Sequence, residues 1–333
     1  MKQTKRAARY GLKINFALIV ALACLLGQVL TQAGATPFSR IVVFGDSLSD
    51  TGNFYHRTGN SLPPAPYAGG RFSNGPLWIE YLAEDLGMEL VPGDNYAVGG
   101  ATTGHDNTND GVLGLTYPGL QDEIGSFLET LGPGGADPEA LYVVWAGAND
   151  FFVVLASGGD PAVLIRNGVS NTLHAIQSLW AAGARHILVL NVPDLGITPY
   201  GRGSGFGASI TYLSASYNHF LGTGLQALAQ AGIPTIQVDA FSTLQLMVNS
   251  PEQFGFTNVT VPLLPVLLGG GNPDSAEFVF WDAVHPTTRA HEVLEGEVVN
   301  RLVDYFSPTQ GTGSPDARLN ALNGLLEKAA NAP

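Results

Sequence analysis

The chain has 333 residues, with 15 Lys or Arg against 28 Asp or Glu for a formal charge of -13, and Cys24 is its one cysteine. That acidic balance repels nucleic acid and anionic headgroups at long range, and one cysteine excludes a disulfide framework. Stability must therefore come from an apolar core, and a chain of this length can bury about three quarters of its unfolded surface in one domain.

Residues 1-35 read as an export signal. Lys2, Lys5, Arg6, Arg9 and Lys13 precede an apolar run over residues 14–29, and Ala33-Gly34-Ala35 follows as a small-residue cleavage site. The run is shorter than the roughly 20 residues of a spanning helix, so no permanent membrane span is expected after processing. Retention of the segment as an N-terminal anchor is the alternative. Cys24 follows Ala21-Leu22-Ala23, a weak likeness to a lipid-attachment site, but Leu25 and Leu26 continue the apolar run and favour a buried signal residue. Cleavage removes five basic residues and no acidic one, taking the formal charge from -13 to -18. One domain is expected over residues 36-306, and residues 307-333 read as a linker and a short amphipathic helix carrying Leu319, Leu322, Leu325 and Leu326.

Ile41-Val42-Val43-Phe44 and Leu141-Tyr142-Val143-Val144-Trp145 are apolar runs ending near Gly45 and Gly147, the signature of buried strands. His186-Ile187-Leu188-Val189-Leu190 and Thr235-Ile236-Gln237-Val238 repeat the pattern after helical stretches over 169–182 and 210–230. A weaker strand is predicted to end near Asn95, after a helix over 78–86. A last long helix is predicted over 288–302. Alternating strands and helices predict an α/β fold, a mostly parallel sheet of five strands with helices on both faces, whose ligands sit beyond the strands' carboxyl ends. Residues 54–75 and 97–119 are long, Gly-rich connections that read as site loops, and residues 262–273 read as irregular.

Ser47 follows the first strand within Gly45-Asp46-Ser47-Leu48-Ser49-Asp50. Two readings fit it locally, a helix N-cap or a nucleophile, and it is not the Gly-x-Ser-x-Gly elbow. Far along the chain, Asp282-Ala283-Val284-His285 sets a carboxylate three residues before an imidazole. That spacing lets a turn join Asp282 to one ring nitrogen while the other takes a proton from a serine; a surface Asp beside a packed His is the alternative. A serine attack also needs donors for the developing oxyanion. The backbone N–H groups of Ser47, Gly99 and Gly100 and the amide of Asn149 offer them, and Asn149 alternatively caps the segment after its strand. Asp150 is assigned no catalytic role. No His-Glu-x-x-His or comparable metal spacing occurs, nor a phosphate-binding loop, so neither metal nor cofactor is expected.

Gly45-Asp46-Ser47-Leu48-Ser49-Asp50, Asn95-Tyr96-Ala97-Val98-Gly99-Gly100-Ala101, Gly147-Ala148-Asn149-Asp150 and Asp282-Ala283-Val284-His285, in this order, resemble the GDSL lipase and esterase family, also called the SGNH hydrolases. Arg71-Phe72-Ser73-Asn74-Gly75-Pro76-Leu77-Trp78 resembles a segment of the branch with plant-like, cholinesterase-like and secreted haemolysin-like lipases. The resemblance covers roughly residues 38–304. It implies a flavodoxin-like three-layer α/β/α catalytic domain, Ser47, Asp282 and His285 as the catalytic set, and an oxyanion hole of Ser47, Gly100 and Asn149. It further implies a secreted or periplasmic bacterial enzyme cleaving small-molecule or lipid carboxylic esters through an acyl-enzyme. Removal of acetyl groups from carbohydrate and a non-catalytic secreted binding module are the alternatives. Phe54, Tyr55, Tyr67, Phe72 and Tyr117 either line an acyl pocket or pack the site loops.

Overall fold

A computed structural model describes residues 36–307. The predicted export signal and the predicted C-terminal helix lie outside the described residues. Four strands, β1 (Ile41–Gly45), β2 (Leu141–Trp145), β3 (His186–Leu190) and β4 (Ile236–Val238), form an all-parallel sheet in the order β1-β2-β3-β4. The described helices are α1 (Asn53–Arg57), α2 (Trp78–Asp85), α3 (Leu120–Glu129), α4 (Ala148–Ser157), α5 (Pro161–Ala182), α6 (Pro199–Gly203), α7 (Gly207–Gln230), α8 (Ala240–Asn249), α9 (Leu263–Leu268) and α10 (Thr288–Phe306).

Strand side chains alternate between faces, and here both faces are apolar because helices cover both. Ile41, Val43, Leu141, Val143 and Leu188 join one core with Trp78 and Leu82 of α2, Leu244 and Met247 of α8 and Leu294 and Val298 of α10. Val42, Phe44, Tyr142, Val144 and Ile187 join a second with Ile124 and Phe127 of α3, Ile176 of α5 and Tyr217 of α7. The result is three layers, α/β/α, with the sheet in the middle. Leu188 has no exposed surface, so truncation to Ala would cost about 2–5 kcal/mol.

Two expectations are met only in part. The fifth strand is reduced to a single bridge between Val43 and Asn95, beside two bonds from Tyr96 N–H to Val43 O at 2.8 Å and Val98 N–H to Gly45 O at 3.0 Å. The Asn95 side chain ties this segment to the turn after β1, donating to Ser49 O and Thr51 Oγ1 at 2.9 Å each and accepting from Ala97 N–H. The stretch read as irregular over 262–273 contains α9. Its Leu-rich sequence buries Leu263 against Phe278 and Trp281, and Gly269 ends it.

Gly45 ends β1 at φ 147, and a Cβ there would meet the Trp145 carbonyl oxygen at 2.0 Å. Glycine alone lets β1 and β2 close together at this point. Beyond it the chain leaves the sheet and carries Asp46 and Ser47 into the turn at its carboxyl edge.

Candidate active site

Ser47 is not an N-cap. The N–H groups of Ser49 and Asp50 both donate to Asp46 O at 3.0 Å, forming a tight turn, and α1 begins only at Asn53 with Gly52 as its cap. Asp46 closes the turn from the side, its Oδ1 accepting the Leu48 N–H at 3.0 Å. Burial pushes the Asp46 carboxyl up to about 7, against the pull of that bond and of the His285 charge.

His285 reaches Ser47 from the far end of the chain. Its Nε2 lies 2.9 Å from Ser47 Oγ and its Nδ1 2.7 Å from Asp282 Oδ2. The carboxylate fixes the proton on Nδ1, which leaves Nε2 to accept from the hydroxyl. Three-residue spacing works here because Asp282 Oδ1 accepts the N–H groups of both Val284 and His285, at 2.8 and 2.7 Å. The Tyr67 hydroxyl donates to Asp282 Oδ2 at 2.7 Å, and Phe72 packs on the imidazole with ring centroids 5.2 Å apart. Burial opposes charge on His285, but the Asp282 charge and hydrogen bond, aided by Asp46, leave its pKa raised. Burial also opposes charge on Asp282, and the His285 charge and the hydrogen bonds from residues 284 and 285 overcome it, holding that carboxyl below its ordinary range.

Gly100 and Asn149 line the same cavity as Ser47 and His285. The Gly99 carbonyl accepts from Asn107 Nδ2 at 3.2 Å and Asn109 Nδ2 at 2.9 Å. A trans peptide sets N–H opposite C=O, so these two side chains aim the Gly100 N–H away from themselves. Gly100 has φ 88, and a Cβ there would sit 2.3 Å from Asn109 Nδ2. Asn149, in the first turn of α4, donates one amide hydrogen to Ala101 O at 3.0 Å and keeps the other. Among the described residues neither the Ser47 nor the Gly100 N–H donates to a protein acceptor.

Buried carboxylates hold these turns in register. Glu123 of α3 accepts from Gly45 N–H at 2.7 Å and Val98 N–H at 3.1 Å, one residue or two from each functional turn. Asp50 accepts from Gly99 N–H at 2.7 Å while also accepting from the residues that open α1. Asp150 accepts from the Thr103 N–H and hydroxyl at 2.9 and 2.6 Å, tying α4 to the glycine loop. Glu123 is absent from the motif reading. Its sequence signal is a charged residue within the apolar stripe Leu120, Ile124, Phe127 of an amphipathic helix.

Of the five aromatics proposed for the acyl pocket, only Phe72 lines the cavity. Phe54 and Tyr117 pack with Val98 in a small core, Tyr55 lies under Gly70, and Tyr67 serves Asp282. Among the described residues no group of three or more His, Cys, Asp or Glu side chains is arranged to hold a metal ion, and no helix is long and apolar enough to cross a membrane.

A parallel α/β/α fold with a serine hydroxyl against a carboxylate-supported imidazole at its strand ends has the make-up of a serine hydrolase. Residues 41–295 match the GDSL-like lipase/acylhydrolase family. The chain belongs to that family and is a serine ester hydrolase of the esterase and lipase type. It is 30% identical to a phosphatidylcholine-sterol acyltransferase of Aeromonas hydrophila over 81% of this chain and 93% of that protein. Esterase EstA of Pseudomonas aeruginosa is 29% identical over 82% of this chain, which spans 48% of that protein. A thermolabile hemolysin of Vibrio parahaemolyticus is 28% identical over 80% of this chain and 65% of its own length.

Proposed function

We propose that Ser47 is the nucleophile, His285 the proton carrier, Asp282 the residue that orients it, and that Ser47 N–H, Gly100 N–H and the Asn149 amide bind the oxyanion. The observation that carries this reading is the continuous chain Ser47 Oγ, His285, Asp282, with links of 2.9 and 2.7 Å. Ser47 Oγ attacks the ester carbonyl as His285 Nε2 takes its proton, and the tetrahedral oxyanion is held by the three donors. The imidazolium then returns the proton to the leaving alcohol, forming the acyl-enzyme. Water activated by His285 releases the acid and regenerates Ser47.

Ser47→Ala and His285→Ala test the assignment on a soluble short-chain ester, with circular dichroism confirming the fold. Each is expected to lower kcat by a similar large factor, and the double variant to be little worse, because the two act as one unit. Near-wild-type kcat in either folded variant rejects the mechanism.

The catalytic domain is assigned to residues 36-306, and residues 1-35 to an export signal of a secreted or periplasmic bacterial protein. The basic, apolar and Ala-x-Ala succession supports this, and so does the bacterial origin of the relatives above. The expected mature N-terminus is at or near Thr36; an intact Met1 species found solely in the cytosol contradicts export. The segment around Asn95 is read as a reduced fifth strand of a flavodoxin-like sheet, supported by its bonds to β1. Slow hydrogen exchange at the Tyr96 and Val98 amides is expected, and rapid exchange there argues against it.

A further inference from the structure

The cavity beside Ser47, of about 220 Å³, runs inward from the carboxyl edge of the sheet toward the packed helices. Its inner wall includes Trp145, Leu195, Leu244, Met247, Phe280 and Leu294, none more than 7% exposed. All but Leu195 belong to the core between the sheet and α8 and α10. The indole N–H of Trp145 is engaged by Asn191 O at 3.0 Å. His291 of α10 also lines the cavity, is 1% exposed, and its Nδ1 has no partner among the described residues. Burial, followed by the charge on His285, depresses its pKa to about 3, so the interior stays uncharged at neutral pH.

We propose that this channel is the acyl-binding site and that the preferred substrates are esters of unbranched acyl chains well beyond acetyl. The inference rests on Ser47 as nucleophile and goes on to say which limb of the ester enters the core. Three arguments carry it. The acyl limb remains bonded to Ser47 Oγ after the alcohol departs, so it is the limb that a cavity beside Ser47 has to hold through the acyl-enzyme. Against these apolar inner side chains a sugar would lose water from its hydroxyls with few polar groups to replace it, whereas a methylene chain gives up no hydrogen bond. Finally, about 10–15 Å³ admits one water, so a cavity of about 220 Å³ would be left mostly empty by an acetyl group.

Leu244 faces this prediction most directly, since it lines the channel from α8, away from the turns that carry Ser47 and His285. The test uses p-nitrophenyl esters from acetate to dodecanoate, with kcat/KM measured on the wild-type chain, Leu244→Trp and Leu244→Ala. Full burial of one methylene is worth up to about fourfold, so kcat/KM is expected to climb by at least tenfold from acetate to octanoate. Leu244→Trp is expected to cut the octanoate-to-acetate ratio by tenfold or more, and Leu244→Ala to move the preferred length upward. If the tryptophan variant does not fold, the alanine variant carries the test. A compact organophosphorus probe on the wild-type chain separates the two levels of the reading. Ser47 labelled alongside a flat chain-length series, or ratios unmoved in a folded Leu244 variant, overturns the acyl channel and leaves the nucleophile standing; Ser47 unlabelled removes both.

Discussion

Glu123 and Gly45 are joined by a 2.7 Å hydrogen bond from the Gly45 N–H to Glu123 Oε2, while the other oxygen of the same carboxylate accepts the Val98 N–H. Gly45 stands two residues before the proposed nucleophile Ser47 and Val98 two before the glycine assigned to the oxyanion hole, so this side chain, with the direct bond from Val98 N–H to Gly45 O, sets the distance between them. Burial drives the Glu123 carboxyl well above its ordinary range, and the two backbone bonds pull the other way.

Glu123→Gln replaces one acceptor oxygen by an amide that faces a backbone donor. The Val98 N–H keeps Gly45 O at 3.0 Å as a second acceptor, so the expected loss of stability is only about 1 kcal/mol, together with a fall in kcat of up to about 10² at nearly constant KM as the two turns shift. Steady-state kinetics on the folded variant and a denaturant titration check it. Unchanged kcat would make Glu123 a structural residue only.

Tyr67 and His285 share the Oδ2 atom of Asp282. Tyr67→Phe removes one charge-assisted hydrogen bond, for an expected loss in kcat of about tenfold. The less solvated carboxylate becomes more basic and moves the acid limb of the pH profile upward. Asp282→Asn is expected to cost more, up to about 10⁴, yet less than Ser47→Ala. A near-wild-type Asp282→Asn enzyme would leave a Ser-His pair and reject Asp282 as the orienting residue.

The pH profile follows from the sign of the His285 shift. The imidazole must be neutral to take the Ser47 proton, and its pKa is raised. Activity is therefore expected to fall as pH drops through a midpoint above the ordinary imidazole value, and to be restored on returning to alkaline pH. The stabilisation from the His285–Asp282 pair has the opposite course. It is fully present below the unfolded imidazole pKa and fades as pH rises through the raised folded one. An acid limb of kcat/KM at or below the ordinary imidazole value contradicts the shift.

The sequence pattern located the parallel strands almost to the residue, because buried strands such as Ile41-Val42-Val43-Phe44 leave an unbroken apolar run that neither face interrupts. Local spacing left Ser47 open between a helix cap and a nucleophile; the order of the four motifs, through the family resemblance, joined it to Asp282 and His285, and the fold brings Ser47 and His285 together across 238 positions. The partners of buried polar braces were hidden from the sequence pattern. Glu123 falls within the apolar stripe of α3, which marks it as buried but not which N–H groups it holds until α3 is docked, and Tyr67 looks like a pocket aromatic until its hydroxyl meets Asp282. Loop aromatics are the sequence's candidates for a pocket lining, yet the cavity beside Ser47 is walled by Leu244, Met247 and Leu294, whose spacing on α8 and α10 marks only a core-facing helix. Periodicity reports that a face is buried, not whether a void remains beside it.

The most direct test of the central claim is covalent. A fluorophosphonate probe is incubated with the wild-type chain at neutral pH, and the modified peptide is mapped by mass spectrometry. The account predicts one stoichiometric adduct, on Ser47, forming in step with loss of esterase activity and strongly slowed in His285→Ala. An adduct on another residue that abolishes activity while Ser47 stays unmodified would contradict it.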